Sequence, residues 1–154
     1  MLLCLPGCES AAPPGSVVES ENTPPPVYPT GQRVAIKQKE HTAGYLTIDR
    51  VDKDTRMIDD VETPATIHYT YENTDIDSGL LVTSIQLELT YTASDGQELP
   101  CQTFAAGEAR PETAAKGEAK SHQQTYILGS GSDYLLKYRH ILTEEPFFLF
   151  SITF

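Results

Sequence analysis

The sequence predicts an all-β domain: a two-sheet antiparallel sandwich of immunoglobulin-like type with seven to eight strands, spanning residues 31–154. Three observations carry that expectation. Polar and apolar residues alternate with a period of two over much of 31–154, the mark of strands with one buried face. Turn residues recur at short intervals, most clearly Asp95-Gly96 between "LTYTAS" and "QELPCQTF", a pair suited to the positive φ angles of a tight hairpin. No segment carries an apolar stripe at helical spacing. "PETAAKGEAKSHQQ" is rich in helix formers but contains Gly117, and it reads as a loop running into a strand.

The strands follow from the alternation. "RVAIKQK" puts Val34 and Ile36 on one face and Arg33, Lys37 and Lys39 on the other, and "YLTIDRV" does the same with Leu46 and Ile48. "ATIHYTYEN" sends Ile67, Tyr69 and Tyr71 inward and leaves Thr66, His68, Thr70 and Glu72 to solvent. "TSIQLELTY" repeats the arrangement with Ile85, Leu87, Leu89 and Tyr91 opposite Gln86, Glu88 and Thr90. Further strands are expected at "QQTYIL", at "DYLLKYRH" and in the closing "FFLFSITF", where Phe148, Phe150, Ile152 and Phe154 face the core and Leu149 joins the outer face. Half-buried strands of this kind belong to antiparallel sheets. The disulfide and tryptophan of antibody domains are absent.

Ahead of the domain the composition changes twice. Residues 1–8, "MLLCLPGC", read as the end of a truncated export signal: the apolar run is Met1 to Leu5, and no Lys or Arg precedes Arg33, whereas a full signal has a basic start and a longer apolar stretch. Leu5, Gly7 and Cys8 resemble the bacterial lipobox, with an aliphatic residue three places before the cysteine and a small residue just before it. Pro6 departs from the usual choice there. The resemblance implies removal of Met1 to Gly7 and a diacylglyceryl thioether on Cys8, which anchors durably because more than one acyl chain enters the bilayer. Residues 9–30, with "AAPPGS" and "NTPPPVYP", have almost nothing to bury, and they read as a disordered, polyproline-biased stalk with a reach of tens of ångströms.

The charge narrows the function classes. A net charge of -11 argues against nucleic acid and against adsorption to anionic lipid, since both need clustered Lys and Arg. No run approaches the roughly 20 apolar residues of a membrane helix. With Cys4 removed and Cys8 acylated, Cys101 has no disulfide partner and reads as a small core residue.

Candidate chemistry is sparse. "NTDIDSG" sets Asn73, Asp75 and Asp77 at alternate positions, as in a calcium loop, but the glycine comes one place late at Gly79 and the twelfth position is Ser84 instead of a bidentate Glu. An Asx-rich turn bonding its own backbone is the other reading. His41, His68, His122 and His140 show no zinc-like spacing. Of these, His68 and His140 lie on strands whose neighbours could align them. "GSGSD" at 129–133 is a turn with no following helix to cradle a phosphate. Neither a nucleophile elbow nor an activated cysteine is present.

Taken together, Leu5-Pro6-Gly7-Cys8, the phrase "IHYTYENTD", the hairpin "ASDGQEL" and the aromatic final strand resemble a group of small surface lipoproteins, mostly of Gram-positive bacteria. These carry a lipobox, a Ser/Pro/Glu-rich stalk and a C-terminal immunoglobulin-like domain of unassigned function. The group has no assigned catalytic residues, so the resemblance implies none here. The expected protein is a non-catalytic binding or adaptor module without a cofactor, held on the outer face of the bacterial cell membrane by the lipid on Cys8. Its partners would be that membrane and another envelope protein, with no nucleic acid. A small-ligand or calcium-binding surface protein is the alternative, and an envelope hydrolase the third reading.

Overall fold

A computed structural model describes residues 23–54, 63–104, 109–140 and 147–154. The export signal with Cys8, and the stalk as far as Asn22, lie outside the described residues. Ten strands follow in chain order: β1 (Val27–Pro29), β2 (Arg33–Gln38), β3 (His41–Lys53), β4 (Thr63–Asn73), β5 (Leu87–Thr92), β6 (Glu98–Pro100), β7 (Gln102–Phe104), β8 (Ala119–Leu128), β9 (Ser132–Tyr138) and β10 (Phe148–Ile152). They form two five-stranded sheets, ordered β1-β10-β9-β5-β6 and β2-β3-β4-β8-β7. Every pairing is antiparallel except that of β1 with β10, which is parallel. The fold is therefore the predicted all-β sandwich, with three strands of only three residues beside the seven longer ones.

The alternation read from the sequence builds the core. Along β4, Ala65, Ile67, Tyr69, Tyr71 and Asn73 are all buried, and Val34, Ile36, Leu46 and Ile48 meet them from β2 and β3. Leu87, Leu89, Leu136, Tyr138, Phe148 and Phe150 supply the facing layer. Each such side chain contributes about 1.5–3 kcal/mol of transfer free energy. Tyrosine dominates one wall, and its hydroxyls are anchored: Tyr69 donates to the Val82 carbonyl at 3.1 Å and Tyr126 to the Leu87 carbonyl at 2.8 Å. Buried phenols need such acceptors.

Four details differ from the expectation. First, β1 falls inside the segment 9–30 assigned to the stalk, so the sheet takes in Val27–Pro29. A proline-rich strand is tolerated because it lies at a sheet edge, where Leu149 N donates to the Pro26 carbonyl at 2.9 Å. Second, Ile85 is 71% exposed and Gln86 is buried. The strand starts only at Leu87; before it, the Gln86 side chain closes a turn by accepting from Thr83 N at 2.9 Å. Third, Phe154 lies beyond β10 and is exposed, whereas Leu149 is buried beside its β1 partner Val27. Fourth, "QELPCQTF" is two strands, because the chain leaves one sheet after Pro100 and joins the other at Gln102.

The Asp95-Gly96 hairpin is present, with only Gly96 at positive φ (82°). Ala93 N donates to the Gln97 carbonyl and Gly96 N to the Ala93 carbonyl. This is the three-residue loop closed by a glycine in the left-handed region.

Candidate functional site

The end of β4 shows what the Asx-rich turn does. Asn73 is buried. Its Oδ1 accepts from Ile76 N at 2.8 Å, and its Nδ2 donates to the carbonyls of Ile76 (2.8 Å) and Ala114 (2.9 Å). Its backbone pairs with Glu118 O and Gly117 N, so the residue ties the 73–80 loop to the segment before β8. Gly44 lies opposite in β3, and a Cβ there would stand 2.1 Å from the Glu72 carbonyl oxygen. The backbones approach so closely that only glycine fits.

This geometry favours the Asx-turn reading of Asn73, Asp75 and Asp77 over the calcium loop. Asn73 points inward and its side-chain amide is used up within the fold. Lys116 places its ammonium 3.1 Å from carboxylate oxygens of both Asp75 and Asp77, where a cation would have to sit. The pair's negative charge, Asp77 first and then Asp75, holds the Lys116 pKa above its ordinary value. No group of three or more metal-ligating side chains occurs among the described residues.

His68 and His140 are not brought together. His68 sits on the outer face of β4, where Asp52 Oδ2 accepts from Arg50 Nε at 3.0 Å and lies 2.9 Å from His68 Nε2. The Arg50 guanidinium, and then His68, hold the Asp52 carboxyl below the usual carboxylate range. The shallow hollow there is polar and of mixed charge, with Asp49, Ser121 and Gln123 on its walls. His140 follows β9 in the other sheet. Cys101 packs in the core at the sheet switch, and burial pushes its thiol pKa up.

The feature that sequence reasoning missed is a cleft of about 690 Å³ on the open side of the sandwich. One wall is Pro26 and Tyr28 of the β1 segment with Phe147 and Phe148; the other is β2, from Val34 to Gln38. The two edge strands are joined through Thr30–Gln32, where Gln32 N donates to the Pro29 carbonyl. They therefore converge at that turn, and the cleft opens at the opposite end, beside Pro26 and Lys39. Its floor is apolar: Tyr28 meets Phe148 edge-on at 6.2 Å, Phe148 stacks on Tyr138 at 4.9 Å, and Val34 lies between the sheets. Its rim carries Lys37, Lys39 and His140.

The rim is basic in an acidic protein. Arg33, Arg50, Lys116, Lys120, Lys137 and Arg139 each hold a carboxylate. Lys37 and Lys39 form no ion pair among the described residues, a state shared by Arg110 and by Lys53, which lies over the Phe154 ring. Lys39 also sits at φ 56°, a left-handed conformation that costs a non-glycine residue about 1 kcal/mol or more. Two aromatics that simple alternation does not bury, Tyr28 among its prolines and Phe147 before the last strand, line this site.

No protein-family model and no curated protein sequence matches the chain. Solved structures do share its fold. A secreted protein of Mycobacterium tuberculosis, MPT63, aligns with a TM-score of 0.58 at 12% identity over 84% of this chain and 99% of its own. A "putative lipoprotein" of Staphylococcus aureus gives 0.59 at 10% identity over 79% and 92%. A β-sandwich protein of Clostridium difficile gives 0.51 at 13% identity over 88% and 99%. The described residues thus define a small, two-sheet β-sandwich with an apolar side cleft lined also by Lys37 and Lys39.

Proposed function

We propose that this chain is a lipid-anchored, extracytoplasmic binding or adaptor module of the bacterial envelope, and that it is non-catalytic. The observation that carries the reading is the succession Leu5-Pro6-Gly7-Cys8, then a segment with almost nothing to bury, then a closed sandwich. An anchor, a spacer and a folded head describe a tethered surface domain. The secreted mycobacterial neighbour and the staphylococcal one support the extracytoplasmic part of the reading. The parallel pairing of β1 with the last strand, and the β10-β9-β5 ladder beside it, support immunoglobulin-like topology.

Crosslinking of the tagged full-length protein in its native cells, followed by mass spectrometry of the membrane fraction, tests the adaptor role. One dominant envelope protein should be recovered. Protein found free in the cytosol would sink the reading.

A further inference from the structure

We propose that the cleft between β1 and β2 binds the acyl chain of one long-chain fatty acid, with its carboxylate at Lys37 and Lys39. The proposal deepens the binding-module reading by naming the ligand of one face. Three observations point to this occupant. The volume, about 690 Å³, falls within the range of small-molecule sites. The interior is aromatic and aliphatic, through Tyr28, Val34, Phe147 and Phe148, while charge is confined to the mouth. Phe147 of that lining is 42% exposed.

The mouth selects the head group. Among the described residues Lys37 and Lys39 are exposed and without a carboxylate partner, although the chain bears an excess of carboxylates. Their ammonium groups are mobile point charges, and no arginine offers the planar fork that recognises phosphate bidentately. With Glu40 of the same turn counted, Lys37 and Lys39 leave one net positive charge, which a single carboxylate balances.

The test is calorimetric titration of the full chain, produced unlipidated, with octanoate, decanoate and laurate below their micellar concentrations. One site per chain is expected, with a negative heat-capacity change. Affinity should rise about fourfold per added CH₂, the equivalent of about 0.8 kcal/mol each. Monolaurin should bind at least tenfold more weakly than laurate. Lys37→Glu with Lys39→Glu should cost laurate at least tenfold at an unchanged melting temperature.

Binding indifferent to chain length, or to both the neutral head group and the charge reversal, would overturn the proposal. So would lauroyl lysophosphatidate binding tenfold tighter than laurate, which would assign the rim to phosphate. Lipid-free sedimentation showing a dimer that the charge reversal dissolves would give the cleft to a second copy, and it would equally overturn the proposal. The adaptor role fails separately: a cytosolic, uncrosslinked protein that still binds laurate would leave the cleft assignment standing.

Discussion

The Asn73 turn and the β1–β2 cleft lie on the same sandwich and treat their polar groups in opposite ways. At the turn the buried amide is satisfied within the chain: Asn73 makes three side-chain hydrogen bonds, and Lys116 pairs with Asp75 and Asp77. At the cleft, Lys37 and Lys39 stand over an apolar floor with no ion pair among the described residues. The acidic cluster, conspicuous in the sequence, is engaged by Lys116. The inconspicuous Lys37-Gln38-Lys39 hairpin borders the surface that is left unsatisfied, and unsatisfied surface is where a ligand gains most.

The contrast predicts unequal responses to substitution. The largest is for Asn73→Ala, which strands buried groups on Ile76 and Ala114 at a cost of about 1–3 kcal/mol per group. A loss of roughly 3 kcal/mol is expected, read from the urea midpoint at unchanged m-value. A loss under about 1 kcal/mol would show that the turn is not the tie described above.

Tyr138 sharpens the other side. It lies beneath the cleft floor, stacked on Phe148, and burial pushes its pKa from 10.0 up to about 12. The folded chain therefore holds this proton more tightly than the unfolded chain. The stabilisation is fully present below pH 10 and is lost as pH rises toward 12, with a slope of about 1.4 kcal/mol per pH unit. Tyr138→Phe should leave stability at pH 7 nearly unchanged and flatten that alkaline slope. An unaltered slope would move the titration to other tyrosines.

Smaller still is the effect on stability of reversing Lys37 and Lys39, since exposed residues without ion pairs change stability by no more than about 0.5 kcal/mol. A larger loss would mean that these side chains hold the fold together. The smallest is the effect of calcium. Millimolar calcium should leave the thermal midpoint in place, because Lys116 already occupies the space between Asp75 and Asp77. A rise in the midpoint with added calcium would reinstate the turn as a cation site.

Much of the fold was legible because period-two alternation depends only on near neighbours. The inward sets of β2, β3 and β4 followed from it directly, and so did the reading of the segment before β8 as a loop. What escaped depends on residues distant in sequence. β1 hides in a proline-rich stretch because its partner, β10, lies about 120 residues away. Ile85 has the right alternation but precedes the strand, since the Gln86 side chain closes a local turn first. Asn73, Asp75 and Asp77 do alternate, but Lys116 and Ala114 come from about 40 residues downstream. The cleft needed both edge strands at once, and one of them read as stalk.

A folded head tethered outside the cell leaves its mark on the covalent state of Cys8. Intact-mass and peptide mass spectrometry of the protein extracted from native membranes should find a chain beginning at a diacylglyceryl-modified Cys8, with Met1 to Gly7 gone. An unmodified Cys8 within an uncleaved chain, recovered from the soluble fraction, would contradict the account.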